Sequence, residues 1–334
     1  MPPSSPAPRA DLLLPFHGVL ARPFDRASYY VLERMDAVGA VEQRGVIGAL
    51  SLLGVESGHV LRHQQVGESA VRLQARLLKE RGGSVDPLLL AAPSLGAFRV
   101  CVEETVRRPA DEELGTPEGG VQRLWVCDAS WALDPPPLPP LLLADGHHRL
   151  EAARRLYRAH PGAVGDRLLA LVVDYRQYPL TLSATHRVVP GLDLDRAVRS
   201  AARIARVREL PPAQRPVPLP GTYLLTGHGR IWGLSEISPV ALAGRLRALP
   251  AEWVELPAAI SDHVLIPALC EDQQLMPIPR YTSQYPASDE VGLILPPPTW
   301  DQIWAGAASG AGMPPKSTHL GPSPVSGGPL DRPG

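Results

Sequence analysis

The chain has little lysine, phenylalanine, cysteine or net charge, and each shortage excludes something. Of its 33 basic residues only Lys79 and Lys316 are lysines, and phenylalanine falls to 3 in 334 residues. Proline and glycine reach 39 and 30, the bias of a GC-rich coding sequence, so each surviving lysine stands out against that drift. A net charge of −1 gives no electrostatic footprint for nucleic acid or for an anionic membrane. The three cysteines, Cys101, Cys127 and Cys270, are widely spaced and form no CxxC. That argues against a disulfide framework or a zinc knuckle and favours the cytosol. Apolar runs fall far short of the roughly 18 residues that span a bilayer, and Met1 to Asp11 shows no basic-then-apolar signal pattern. The expectation is a cytoplasmic protein that works on neither nucleic acid nor membrane.

Apolar residues make up 44% of the chain, enough to fill one large core or two ordinary ones. Residues 1–10 are Pro/Ser-rich and read as disordered. Tyr29 to Leu32, Val46 to Leu53, Pro87 to Ala92, Ala97 to Val102 and Arg123 to Cys127 read as strands. Val66 to Glu80 reads as a helix, with Ala70, Leu73 and Leu77 on one face. Asp134 to Pro140 is a stiff polyproline-like approach. Leu141 to Asp145 is a short strand, followed by a helix through Leu150, Ala153 and Tyr157, and Leu168 to Val173 is another strand. From Gly191 a second unit begins. Its signals are a helix over Asp195 to Ile204, a hairpin at Gly227-His228-Gly229, helices near Ser238-Pro239 and Ile260, a strand over Val291 to Leu295, and a helix capped by Thr299. The resulting division is 1–10, 11–190, 191–312 and a Pro/Gly/Ser-rich tail over 313–334.

The most informative stretch is Leu143-Ala144-Asp145-Gly146-His147-His148-Arg149. A glycine turn from strand to helix gathers backbone N–H groups and the positive helix end at one point, which suits a phosphate. Arg149 adds a fork of donors matched to phosphate oxygens. His147 and His148 can donate to phosphate or relay a proton, and Asp145 can hold a metal ion. The plainer reading is a polar turn that caps a helix. A third, a protein-only metal site on His147 and Glu151, lacks a further ligand. The pairs Arg154-Arg155 and Arg107-Arg108 read as solvated faces.

This motif resembles the signature of the free serine kinase family, a branch of the ParB/sulfiredoxin-like fold. Three further segments are similar to that family in the same order. They are Arg44 to Leu53 with Arg62-His63-Gln64-Gln65, Leu180 to Val189 around Thr185-His186-Arg187, and Met313-Pro314-Pro315-Lys316-Ser317-Thr318. The resemblance implies an α/β chain with a nucleotide-binding domain and a second α/β portion. It also implies phosphoryl transfer from ATP or ADP, with Mg²⁺, to free L-serine or a related small hydroxyl metabolite. Nucleotide-phosphate contact falls to Asp145, Gly146, His147, His148 and Arg149, with Asp145 toward the metal. Substrate contact falls to Ser84, Thr185, His186, Arg187, Lys316, Ser317 and Thr318, with the tail folding back to complete the site.

One position departs from the pattern. The family's general base is a glutamate, and Gln64 stands there, beside His63. Glutamine can hold a hydroxyl but cannot take its proton, a loss that commonly costs about 10²–10⁴ in rate. Glu68 reaches the same point if the segment is already helical at residue 64. A nucleotide or phosphometabolite sensor without catalysis is therefore the alternative. Sulfiredoxin chemistry needs a cysteine after the glycine, where His147 sits. A ParB-like clamp needs a helix-turn-helix and a basic face. The sequence leaves the acceptor, the choice of ADP or ATP, and the oligomeric state open.

Overall fold

The computed structural model describes residues 11–16, 27–64, 66–81, 87–117, 119–160, 166–211, 216–314 and 316–321. The expected disorder of 1–10, the tail beyond 321 and Ser84 lie outside the described residues. The fold is mixed α/β. The chain divides into two compact units: residues 1–62, 66–180 and 320–334 form the first, and 63–65 with 181–319 the second.

Unit 1 is built on one mixed sheet. Its strands are β1 (Leu13–Leu14), β2 (Tyr30–Met35), β3 (Val41–Ser51), β4 (Val60–Arg62), β5 (Leu88–Ala92), β6 (Glu112–Gly115), β7 (Val121–Val126), β8 (Leu141–Asp145) and β9 (Arg167–Asp174). They lie in the order β4-β8-β5-β9-β3-β2-β7-β6, with β1 on β3. β8 runs parallel to β4 and antiparallel to β5. Leu141, Leu142 and Leu143 are all fully buried, as expected of a short strand covered on both faces. Helices α1 (Leu52–Glu56), α2 (Glu68–Arg81), α3 (Phe98–Thr105), α4 (Ser130–Leu133) and α5 (His147–Ala159) complete the unit, and α2 packs along α5.

Two sequence readings are corrected here. Val46 to Leu53 is not strand to its end, because the Ser51 side chain accepts from the Gly54 N–H and starts α1. Ala97 to Val102 is not a strand at all but the start of α3. Its buried residues Phe98, Cys101, Val102 and Thr105 follow the helical spacing of three and four, which a short apolar run does not distinguish from a covered strand.

Unit 2 holds an antiparallel sheet of β11 (His186–Val188), β12 (Arg206–Leu210), β13 (Tyr223–Gly227), β14 (Arg230–Ser235), β15 (Arg280–Thr282) and β16 (Gly292–Ile294), in the order β12-β14-β13-β16-β11-β15. The strand β10 (Thr181–Ala184) pairs with β17 (Thr318–Gly321). Leu194, Ala197 and Ala201 of a helix over Leu194–Ala201 pack with Leu225, Leu265 and Leu269 in this core. A longer helical run from Pro257 to Glu271 is interrupted by a π-helical turn over Ser261–Leu265. Pro267 explains it: a proline has no N–H for the carbonyl four residues back and crowds it, so the turn widens. The Ile266 N–H then bonds to the Ser261 carbonyl.

Candidate functional site

In unit 1, β8 ends at Asp145 and α5 begins at His147, with Gly146 alone between them. Gly146 sits at φ 94°, ψ 22°, and a Cβ there would stand 2.4 Å from Cδ2 of Leu88 and 3.3 Å from Nη2 of Arg149. That conformation strains any side chain, and a Cβ would displace Leu88. The first intrahelical bond runs from the Leu150 N–H to the Gly146 carbonyl. The cap supplies no side-chain bond and the first turn carries no acid. Arg149 lies in this first turn with its side chain 17% exposed, and its Nη2 stands 3.7 Å from Oδ2 of Asp145, which is 42% exposed. His147 is buried and His148 half-buried. The turn thus combines oriented donors, a mostly buried guanidinium and one accessible carboxylate.

One turn further along, α5 changes character. Glu151 accepts from Arg62 at 2.8 Å, Arg154 at 2.9 Å and Arg155 at 3.2 Å. Glu56 accepts from Arg154 and Arg158 at 2.5 Å each. Arg154 is buried in this network, so in this pair the solvated-face reading holds for Arg155 alone, while Arg107 and Arg108 are both exposed as read. Glu151 is committed to arginines, which leaves the His147–Glu151 metal reading without its carboxylate. Among the described residues no group of three or more His, Cys, Asp or Glu could hold a metal ion. A cleft of about 620 Å³ opens elsewhere in unit 1, lined by Ser28, Thr105, Arg108, Asp111, Cys127 and Trp131 among others. None of the motif residues lines it.

Glu68 opens α2, while Gln64 sits in an isolated extended bridge to Met313. The helix therefore starts at Glu68 rather than at residue 64, so the condition under which Glu68 would replace Gln64 is not met. The Glu68 carboxylate takes two bonds from Arg155, at 2.8 and 2.9 Å. The Arg155 guanidinium holds its carboxyl below the usual range.

Unit 2 brings His63 and Gln64 together with the Thr185-His186-Arg187 and Met313–Thr318 segments. The His63 carbonyl accepts from the Met313 N–H at 2.6 Å, and Gln64 Nε2 donates to the Thr318 carbonyl at 2.9 Å. Thr318 Oγ1 donates to the Ser183 carbonyl at 2.9 Å, and Ser317 Oγ to the Pro314 carbonyl at 2.5 Å. Arg187 is fully buried. Its Nε and Nη2 grip both oxygens of Asp262 at 2.8 Å each, and Nη1 donates to the carbonyls of Thr185 and, at 3.0 Å, Lys316. Lys316 itself is exposed, at φ 55°. His186 accepts from the Leu295 N–H on Nδ1 at 3.4 Å. Burial, then the neighbouring Arg187 charge, pull its pKa down to about 4, so the ring is neutral at pH 7. Sequence reasoning misses Asp262, and Trp253, whose Nε1 donates to the Gly312 carbonyl at 3.0 Å. Neither belongs to a local pattern.

Residues 17–250, more than half of the chain, match the family described as "Protein of unknown function (DUF1015)". The chain belongs to this family. Among solved structures this DUF1015 chain is similar to C-terminally truncated SbnI from Staphylococcus aureus, at 11% identity and TM-score 0.41, covering 82% of each chain. It is also similar to a free serine kinase in complex with AMP, at 14% identity and TM-score 0.41, covering 82% of this chain and 87% of that one. A conserved hypothetical protein from Pyrococcus furiosus follows at 13% identity and TM-score 0.38, with 82% and 90% covered. No curated protein matches the DUF1015 chain. Among its described residues no helix is long and apolar enough to cross a membrane.

Proposed function

We propose that this DUF1015 chain binds the phosphates of ATP or ADP at the Asp145–Arg149 turn and transfers a phosphoryl group to a small hydroxyl metabolite of the serine type. The observation that carries the first half is the start of α5, with no acid in its first turn, set beside the Arg149 guanidinium and reached through Gly146 at φ 94°. Helix-end N–H groups and a guanidinium neutralise phosphate charge, and His147 and His148 stand in the same first turn. Asp145 would hold Mg²⁺, which would supply further neutralisation of the phosphate charge. The acceptor half rests on the motif resemblance of Thr185-His186-Arg187 and Lys316-Ser317-Thr318, with Ser84 assigned by the same resemblance. In this reading the chain is a ParB/sulfiredoxin-like phosphotransferase.

A second reading is favoured by one observation. The acceptor hydroxyl must lose a proton, yet Gln64 is spent on the Thr318 carbonyl and Glu68 on Arg155. A nucleotide-binding sensor without turnover fits those commitments. The two readings separate in one experiment: incubation with terminally labelled ATP or ADP, Mg²⁺ and L-serine, alongside calorimetric titration of the nucleotide. Phosphoserine formation supports transfer. Nucleotide binding without product, weakened about tenfold or more in Arg149→Ala, supports the sensor. No binding by either nucleotide sinks both.

A further inference from the structure

Three irregularities of unit 2 are joined by hydrogen bonds. Lys316 occupies the left-handed region, at φ 55°, a conformation that non-glycine residues other than Asn and Asp rarely keep. Asp262 lies on the π-helical turn over Ser261–Leu265, a feature that recurs at functional sites. Arg187 is the largest fully buried side chain among the described residues. It bridges the other two, with a bidentate grip on Asp262 at 2.8 Å per bond and a 3.0 Å bond to the Lys316 carbonyl. Its guanidinium also stands 5.0 Å from the Tyr281 ring centre.

A buried ion pair is a weak way to stabilise a core, since an apolar pair of similar volume is often as good or better. Stability alone therefore gives little reason for a guanidinium here. Fixing a backbone carbonyl does: a planar fork held on one side by a carboxylate leaves its remaining donors aimed in a set direction. We infer that the Arg187–Asp262 pair is a positioning device, which pins the Lys316 carbonyl so that the left-handed turn persists and the exposed ammonium leaves it in one orientation toward a phosphorylated ligand. Fully buried Arg187 and Asp262 act through Lys316 in this account, so the substrate contact that the resemblance assigns to Arg187 passes to Lys316. The inference rests on the reading of Lys316 as the phosphate-binding cation.

The test separates the clamp from that reading. Asp262→Asn strands a buried guanidinium and can fail to fold, so the informative variant is Arg187→Met with Asp262→Leu, which removes both charges. In the melting arm, Lys316→Gly should melt a few degrees above Lys316→Ala, because glycine enters the left-handed region freely. In the Arg187→Met/Asp262→Leu background the difference should vanish. A difference that persists there overturns the device. In the binding arm, O-phospho-L-serine is titrated calorimetrically into the full chain. Lys316→Ala should weaken binding about tenfold or more, the pair variant should weaken it comparably, and the combination should be no worse than Lys316→Ala alone. An equal further loss from the pair variant in the Lys316→Ala background marks general damage and overturns the positioning role, as does unchanged affinity in the pair variant. If the melting arm behaves as expected but Lys316→Ala binds like the parent, the turn is accounted for and the ligand role of Lys316 is overturned.

Discussion

At Gly146 the backbone stands at φ 94°, and a methyl group there would meet Leu88, itself in the core. Gly146→Ala should therefore lose on the order of 2–4 kcal/mol, from the left-handed penalty and overpacking together, read as a drop in urea midpoint at constant slope. A midpoint within error of the parent would mean that the turn relaxes freely. His186 makes the second residue-scale prediction. Its pKa falls from the ordinary 6.5 to about 4 on folding. Between those values the unfolded chain binds a proton that the folded chain refuses, so stability rises with pH across the window and is flat above it. Acidification from pH 7 should cost stability progressively down to about pH 4, and His186→Gln should remove part of that slope in melts taken across the series. At this scale the Asp145–Arg149 turn is legible because strand, glycine and helix are adjacent in sequence. Asp262 is not, because its partner Arg187 is 75 residues away and an aspartate before a histidine carries no signal of its own.

The helix over Trp300–Ala308 shows what a complete local signal looks like. Thr299 accepts from the Gln302 N–H and Gln302 returns the bond to the Thr299 N–H, a reciprocal cap. Thr299→Ala should cost about 1 kcal/mol, measurable by thermal melting, and a neutral result would show the helix held by packing alone. Elements with caps, turns or long periodicity are readable from sequence: α2, α5 and the His228-Gly229 hairpin that joins β13 to β14. Even so, α2 buries Val71 and Leu78 and leaves Leu73 of the expected face exposed. The misread element, α3, has none of these. Its N-cap Ala97 makes no side-chain bond, and six apolar-rich residues suit a strand as well as a helix until the neighbours decide. The short strands β10, β11 and β15 leave no sequence signal for a related reason. Each has three or four residues and exists through distant partners, as when β11 pairs with both β15 and β16.

At the scale of the whole molecule, scarcity of lysine becomes an experimental handle. Lys79 and Lys316 are the chain's only lysines and both are exposed, so an amine-acylating reagent has two side-chain targets. Saturating O-phospho-L-serine should shield Lys316 while Lys79, on α2, reacts at its unliganded rate. Equal labelling with and without ligand, read by peptide mass spectrometry, would count against Lys316 as the ligand's cation. The grouping of the chain into units has a consequence in time as well. Residues 63–65 belong to unit 2, whose remaining residues begin at 181, and the Gln64–Thr318 bond closes a separation of 254 residues. At a synthesis rate of about 5–20 residues per second, Gln64 waits roughly 10–50 seconds for its partner to leave the ribosome. Through that interval β4 and α2, on either side of Gln64, can settle with their own unit before Gln64 meets Thr318.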